Sequence, residues 1–304
     1  MNIRKLVLLA ALSLTTLAIV FAQKSVFKVD VRLVRLLATV KDPNGQLIGS
    51  LNKEDFTIFD SGIRQEVALF EHHTEQPLSI ALLVDASGSV AIKTKQEMDS
   101  VARFLKKLFG EGNTGDAVAL YSFNQDVNLQ TSFTRRMARL EKELKDIKAD
   151  SGTSLYDAIY FASQALEDRE GRRVLIIVSD GADTTSGKTF HEAVQSADAA
   201  DAVIYGVMVV PVTSDAGRHV AGENALISLA TSTGGRVLAA SMNESLDAAF
   251  GEILRDLRTQ YLLGYYPKNL PYSKERFRRI ELKLSRPDLH VQTRSGYYVE
   301  AEPQ

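Results

Sequence analysis

The sequence predicts an α/β fold: a doubly wound, mostly parallel sheet with helices on both faces, inserted in a small β-sandwich formed by the N- and C-terminal strands. Two observations predict it. Between residues 79 and 260, short apolar runs alternate with segments whose apolar residues recur at helical spacing, which is typical of a parallel sheet covered by helices. The segments on either side read as strands, and each is too small to be stable alone, so we expect them to pair with each other.

Residues 1–22 form a predicted signal peptide. Arg4 and Lys5 precede an apolar stretch from Leu6 to Phe21, and Ala22 ends a small-residue cleavage site. The alternative is a retained membrane anchor, because the stretch is nearly long enough to span a bilayer. In either case we expect the body of the protein outside the cytoplasm, periplasmic or secreted, and with no stable membrane insertion once the signal is cleaved.

The composition of the 304-residue chain excludes several classes of protein. It has no cysteine, which rules out disulfides and the lipid-bearing cysteine of a lipoprotein. The 36 basic and 38 acidic residues give a net charge of −2, and loss of the two basic residues in the signal peptide makes it −4. Nucleic acid is therefore not an expected partner, since phosphate binding needs a concentrated positive surface. The oligomeric state is not predicted.

Residues 23–76 are the predicted N-terminal part of the β-module. The apolar alternation changes phase between Leu33 and Val34, which predicts a long edge strand with a bend. The sequence DPNG at 42–45 has the chemistry of a turn. The sequence DSG at 60–62 separates "FTIF" from "EVALF", as expected for a hairpin.

Residues 77–262 are the predicted α/β domain. Its strands are expected at 79–85, 117–123, 173–180 and 202–210, with a shorter one at 236–240. Apolar residues at helical spacing mark two of the helices, the first by Met98, Val101, Leu105 and Leu108, the second by Leu155, Ala158, Ile159, Ala162 and Leu166. A last long helix is expected from about Asn243, a good N-cap, to Gln260.

Residues 263–304 are predicted to complete the β-module. Ile280, Leu282 and Leu284 alternate with charged residues, and a turn at 286–288 precedes the strand "LHVQT". Eight basic residues lie between Lys268 and Arg294. The alternation favours a solvated strand face for them, and contact with an anionic envelope surface is the alternative.

Oxygen-bearing side chains gather at the expected ends of the parallel strands. Asp85 ends the strand at 79–85, and Ser87 and Ser89 follow at two-residue spacing, which keeps their side chains on one side of an extended segment. Ligands bind at such strand ends in doubly wound sheets. A hard divalent cation needs more oxygens than these three, and Thr153 at a helix start and Asp180 at another strand end are the candidates. The alternative is that these are ordinary cap and turn residues.

The order and context of these residues carry a family resemblance. The "DASGS" at 85–89, the threonine of "SGTSLYDAI" and the aspartate of "VSDG" resemble the metal-ion-dependent adhesion site of the von Willebrand factor type A (VWFA) domain, over residues 77 to 262. The resemblance implies that Ser87 and Ser89 are direct hydroxyl ligands and that Thr153 is a ligand directly or through water. It implies that Asp85 and Asp180 are the carboxylates, often acting through water. In the family, ligand binding can shift the threonine loop and the last helix.

The charge of this ligand set determines which ion and partner we expect. All-oxygen ligation favours Mg²⁺, with Ca²⁺ or Mn²⁺ possible, and disfavours zinc. Two carboxylates formally neutralise a dication, so an open coordination position can accept a Glu or Asp of a protein partner.

The flanks of the domain resemble a group of exported bacterial proteins abundant in Acidobacteria. We therefore expect an exported, non-enzymatic protein that acts in adhesion or scaffolding.

Two other functions are alternatives to adhesion or scaffolding. One is a structural envelope component whose metal only stabilises the fold. The other is a metal-dependent hydrolase with Asp85 as nucleophile, but position 87, where such sites often have a second acid or base, is Ser. The sequence contains no Gly-x-Ser-x-Gly elbow and no Gly-rich phosphate loop. The loop at 183–186 either shapes the rim of the site and selects the partner, or caps the helix near Phe190.

Overall fold

The computed structural model describes residues 33–72, 76–88, 95–210, 219–241, 246–271 and 276–299. The predicted signal peptide at 1–22, Ser89, Asn243 and the residues before the predicted bend at Leu33 lie outside these ranges. No helix in the described ranges is long and apolar enough to cross a membrane.

The central sheet has six strands in the order β10-β9-β8-β5-β6-β7. Their bounds are β5 Leu78–Asp85, β6 Ala117–Phe123, β7 Val127–Thr134, β8 Arg172–Ser179, β9 Ala202–Val210 and β10 Val237–Ser241. All neighbours are parallel except β6 and β7, so the predicted parallel sheet is confirmed. The edge strand β7 was not expected. Only one of its eight residues, Thr131, is buried, so no apolar run marks it in the sequence.

Helices cover both faces of the central sheet. Their bounds are α1 Lys95–Glu111, α2 Met137–Asp146, α3 Leu155–Glu167, α4 Phe190–Ala199, α5 Val220–Ser232 and α6 Leu246–Thr259. Buried side chains of α1, α2 and α6 form one core with one face of the sheet, and those of α3, α4 and α5 form a second core with the other face. The predicted doubly wound architecture is therefore confirmed, with the connections that reverse strand order lying beside β5.

The N- and C-terminal strands form a sandwich of two four-stranded sheets, with the orders β13-β1-β11-β4 and β14-β12-β2-β3. The strands are β1 Val34–Lys41, β2 Phe56–Asp60, β3 Ile63–Gln65, β4 Leu69–Glu71, β11 Tyr261–Tyr265, β12 Phe277–Leu284, β13 His290–Gln292 and β14 Gly296–Tyr298. A shared core joins the two sheets. Each sheet contains strands from both ends of the chain, which confirms the predicted pairing.

Two local expectations for the N-terminal strands are corrected. The described strand β1 is not an edge strand, because β11 and β13 pair with its two sides. Both partners come from the far end of the chain, which the local pattern cannot reveal. The predicted hairpin exists between β2 and β3, with positive φ at Ser61 and Gly62. The segment "EVALF", however, does not continue it, since β4 pairs with β11 in the other sheet.

The expected solvated basic face is only partly correct. Ile280 and Leu282 of β12 are buried between more exposed neighbours, as the alternation predicts. Arg294 is different: its side chain is 11% exposed, and Nη1 lies 3.2 Å from Asp198 and 3.1 Å from Asp201. Those two aspartates lie where α4 leads into β9, so Arg294 ties the sandwich to the α/β domain rather than facing solvent.

Candidate metal centre

Asp85 lies at the carboxyl end of β5, in the middle of the central sheet, and is 1% exposed. Its Oδ1 accepts a hydrogen bond of 2.8 Å from the backbone N–H of Ser87. Its Oδ2 accepts one of 2.6 Å from the hydroxyl of Ser179 at the end of β8. The carboxylate is thus held between two neighbouring strands by uncharged donors.

The surroundings of Asp85 disfavour its ionised form unless a positive charge compensates it. Burial raises the pKa of Asp85, its hydrogen bonds with Ser179 and Ser87 lower it, and the charge of Asp180 raises it again. In the described ranges neither Asp85 nor Asp180 forms a salt bridge with Lys, Arg or His. A buried carboxylate beside a second one is costly without a compensating cation, so the pair fits a bound cation.

Ser87 is also buried, at 4% exposure. It forms a parallel β-bridge with Asp150, and the N–H of Asp150 donates to the carbonyl of Ala86 at 3.0 Å. The N–H of Ala86 in turn donates to the carbonyl of Phe123 at the end of β6. These backbone bonds fix the segment after β5 beside the loop that leads to Thr153. Ser89 lies outside the described residues.

Thr153 precedes α3 and is 5% exposed. Its N–H donates to the hydroxyls of Thr184 and Thr185 at 2.9 and 3.1 Å, and its carbonyl accepts from the N–H groups of the same two residues. Its own hydroxyl takes no part in these bonds. Gly152 has φ +79°, and a Cβ there would lie 3.0 Å from Gln125, so this turn requires glycine. The backbone of Thr153 is therefore fixed while its hydroxyl stays available.

Asp180 follows the last residue of β8 and is partly exposed. Its Oδ1 accepts from the N–H of Ala182 at 2.9 Å. The next residue, Gly181, has φ +83°, and a Cβ there would lie 2.5 Å from the carbonyl of Gly222. The required glycine turns the chain immediately after Asp180 and keeps its carboxylate at the sheet edge.

Sequence reasoning missed Ser179. It is fully buried, and besides donating to Asp85 its hydroxyl accepts from the N–H of Gly181 at 3.0 Å. The only available signal was its place just before Asp180 in a strand adjacent to β5. Ser179 links the two carboxylate-bearing strand ends and orients Asp85.

The loop at 183–186 caps a helix, but not the expected one. Oδ1 of Asp183 and Oγ of Ser186 accept from the N–H of Tyr156 at 3.2 and 3.1 Å, so they cap α3. The helix near Phe190, α4, is capped by Thr189 in a capping box with Glu192. The loop therefore holds the start of α3 next to Thr153. Its other predicted role, selection of a partner, stays a prediction.

Four of the five predicted ligands lie in the described ranges, and all four lie at the same edge of the central sheet: Asp85, Ser87, Thr153 and Asp180. They supply two carboxylates and two hydroxyls. The described ranges contain no group of three or more His, Cys, Asp or Glu side chains that could hold a metal. The donor set thus suits a hard cation that accepts neutral oxygen ligands.

Part of the central domain matches a known family model. Residues 80–182 match the family model of the von Willebrand factor type A domain. The matched span runs from β5 through Asp180 and includes all five predicted ligand positions. A search of curated protein sequences gives no match.

Solved structures similar to this chain include a type A domain. The vWF domain of the type V pili tip protein Mfa5 from Porphyromonas gingivalis is 15% identical, with a TM-score of 0.50 over 59% of this chain and 94% of that chain. An aerotolerance-related membrane protein from Bacteroides fragilis is 17% identical, with a TM-score of 0.45 over 59% of this chain and 98% of that chain. At this identity, the likeness to the pilus protein shows that the central domain of this chain shares its fold, and it shows nothing further.

Proposed function

We propose that this protein is an exported, non-enzymatic binding protein whose type A domain holds Mg²⁺ and captures an acidic residue of a protein partner, in adhesion or scaffolding. The observation that carries the proposal is the pair of carboxylates, Asp85 and Asp180, which lie together beside two hydroxyl-bearing residues. In the described ranges neither carboxylate forms a salt bridge with Lys, Arg or His. Ca²⁺ or Mn²⁺ would fit the same oxygen donors.

The proposed ligands are Asp85, Ser87, Ser89, Thr153 and Asp180, and the chain's own contacts prepare most of them. Ser179 and the backbone of Ser87 orient the Asp85 carboxylate. The hydroxyls of Thr184 and Thr185 hold the backbone of Thr153. When bound, the dication would be neutralised by two carboxylates and would still attract one more anionic oxygen. A Glu or Asp side chain of another protein supplies such an oxygen.

The proposed setting is outside the cytoplasm. The predicted signal peptide at 1–22 supports export, and the pilus tip protein shows that this fold is used in a surface appendage of another bacterium. The domain limits that accompany this proposal are 23–76 and 263–304 for the β-module and 77–262 for the type A domain.

Magnesium binding is tested by isothermal titration calorimetry. We expect Mg²⁺ to bind the wild-type protein. Its affinity for Asp85→Ala and for Ser87→Ala should be at least about tenfold lower, because each substitution removes a proposed ligand. Asp126→Ala is the matched control, because Asp126 is an exposed carboxylate at the same edge of the sheet. Equal affinity in the wild type, Asp85→Ala and Ser87→Ala would refute the site.

Partner capture separates adhesion from a purely stabilising metal. Immobilised wild-type and Asp85→Ala proteins are incubated with envelope extract of the source organism, each with Mg²⁺ and with EDTA. We expect a protein retained only by the wild type and only with Mg²⁺, while circular dichroism shows that both proteins stay folded in EDTA. Retention that is unaffected by EDTA, or unfolding in EDTA, would contradict the bridging role.

A further inference from the structure

A second charged region lies at the opposite edge of the central sheet, at the amino ends of β8 and β9. There a cleft lies between the type A domain and the sandwich. We refer to it as the basal cleft. Its charged lining residues are Arg35, Arg172, Arg173, Asp198, Asp201 and Arg294.

The lining of the basal cleft is formally positive, with four arginines against two aspartates. Both aspartates are engaged by one arginine, because Asp198 and Asp201 each accept from Nη1 of Arg294. Both carboxylates that line the cleft are therefore paired with Arg294. The other three guanidinium groups form no salt bridge in the described ranges.

Arg172 is the most buried of these groups, at 5% exposure. Its Nη1 donates to the carbonyl of Leu257 and its Nη2 to the amide oxygen of Gln260, both uncharged acceptors. Its Nε is buried and has no hydrogen-bond partner in the described structure. Burial lowers the pKa of Arg172 to about 10, so it remains charged at neutral pH. Asp116 raises this pKa by its charge but forms no salt bridge with Arg172 in the described ranges. A buried guanidinium without a directly paired carboxylate favours an anion nearby.

Arg173 and Arg35 provide further donors in the basal cleft. Arg173 uses Nε for the carbonyl of Arg169 and Nη1 for the carbonyl of Ala200, which leaves its Nη2 hydrogens for a ligand. Arg35 is an exposed residue of β1 with no hydrogen bond or ion pair recorded in the described structure. The planar guanidinium fork matches the oxygens of phosphate well.

We propose that the basal cleft binds the phosphate group of a small molecule, with Arg35 and Arg173 donating to the phosphate and Arg172 supplying fixed positive charge. Leu37, Val203 and Leu262 give the cleft apolar walls for the rest of the ligand. This site is separate from the metal centre, and its existence does not depend on the proposed function.

The proposal is tested with inorganic phosphate, by calorimetric titration in EDTA so that phosphate cannot bind through a metal. We expect binding to the wild-type protein and to Asp85→Ala alike. In Arg35→Glu the affinity should fall by about a hundredfold, because a donor is lost and a repelling charge is added. Arg35 is exposed, so this variant should unfold at the same urea concentration as the wild type.

The matched control is Arg64→Glu, an exposed arginine on β3 of the other sandwich sheet, which makes the same change in net charge. It should keep phosphate affinity within about twofold of the wild type. Absence of binding to the wild type at about 10 mM phosphate, which would detect a millimolar Kd, would refute the site. So would equal weakening by Arg35→Glu and Arg64→Glu, since that would reflect net charge alone.

Discussion

The two edges of the central sheet carry opposite charge, an acidic pair at one and a group of arginines at the other. At the carboxyl edge, Asp85 and Asp180 lie together and form no described salt bridge. At the amino edge, Arg172 is buried against uncharged acceptors, with Arg173 and Arg35 nearby. Each edge is therefore compatible with the ligand proposed for it, a cation at the carboxyl edge and an anion at the amino edge.

The two edges differ in how their charged residues are held. At the carboxyl edge the acids sit on short loops fixed by backbone bonds and by the hydroxyls of Ser179, Thr184 and Thr185. At the amino edge Arg172 reaches carbonyl and amide oxygens at the end of α6. We therefore expect Arg172 to stabilise the fold through its hydrogen bonds, whereas the buried carboxylate of Asp85 should cost stability in the absence of a bound cation.

The largest expected effect is at the amino edge. Arg172→Met should lower the free energy of unfolding by about 3 kcal/mol, because it leaves the Leu257 carbonyl and the Gln260 amide oxygen buried without donors. Urea denaturation measures the change. Arg173→Met, which removes bonds from a half-buried side chain, should cost about 1 kcal/mol. An equal loss of free energy of unfolding in the two variants would show that the deeper burial of Arg172 does not make it more important for stability than Arg173.

An effect of opposite sign is expected at the carboxyl edge. In EDTA, Asp85→Asn should raise the free energy of unfolding at pH 7 by about 2 kcal/mol, because it removes a buried charge and keeps an acceptor for Ser87. The pKa of Asp85 is raised in the folded state. The shift therefore makes its full contribution to the free energy of unfolding at pH values below the ordinary carboxyl pKa. This contribution is lost as the pH rises through the pKa of Asp85 in the folded protein.

The decline in stability with rising pH should thus be smaller in Asp85→Asn than in the wild type, as followed by urea denaturation at several pH values in EDTA. With Mg²⁺ the order of stability should reverse, since the wild type gains binding energy that the variant lacks. A variant that is less stable than the wild type in EDTA would show that the carboxylate is already compensated.

The smallest expected effect concerns the loop that holds Thr153. Asp183→Ala removes an acceptor for the first turn of α3, which should lower the free energy of unfolding by about 1 kcal/mol, a usual cost for a lost helix cap. Mg²⁺ affinity should fall several-fold as well, because the start of α3 positions Thr153. Glu192→Ala, which breaks the capping box of α4 instead, should leave Mg²⁺ affinity unchanged.

Much of the fold was predictable from the sequence where local pattern and burial coincide. The strands β5, β6, β8 and β9 are nearly continuous apolar runs, and their bounds agree with the prediction to within a residue. Helices α2 and α5 and strand β7 were not predicted. The single buried residue of β7 is a poor signal, because an edge strand packs few side chains. The β-sandwich was predictable as a pairing of termini, but not its strand order, which places β1 between two C-terminal strands.

The sequence by itself determined that Asp85, Ser87, Thr153 and Asp180 lie at one edge of the sheet. Each ends or follows a strand or precedes a helix, and local pattern locates such positions. Tertiary structure alone decided that Ser179 orients Asp85 across two strands, and that Arg294 leaves the expected solvated face to bind Asp198 and Asp201. It also decided that Arg35 and Arg172, 137 positions apart by their numbers, line one cleft. Contacts between distant segments depend on strand order and register, which no local pattern encodes.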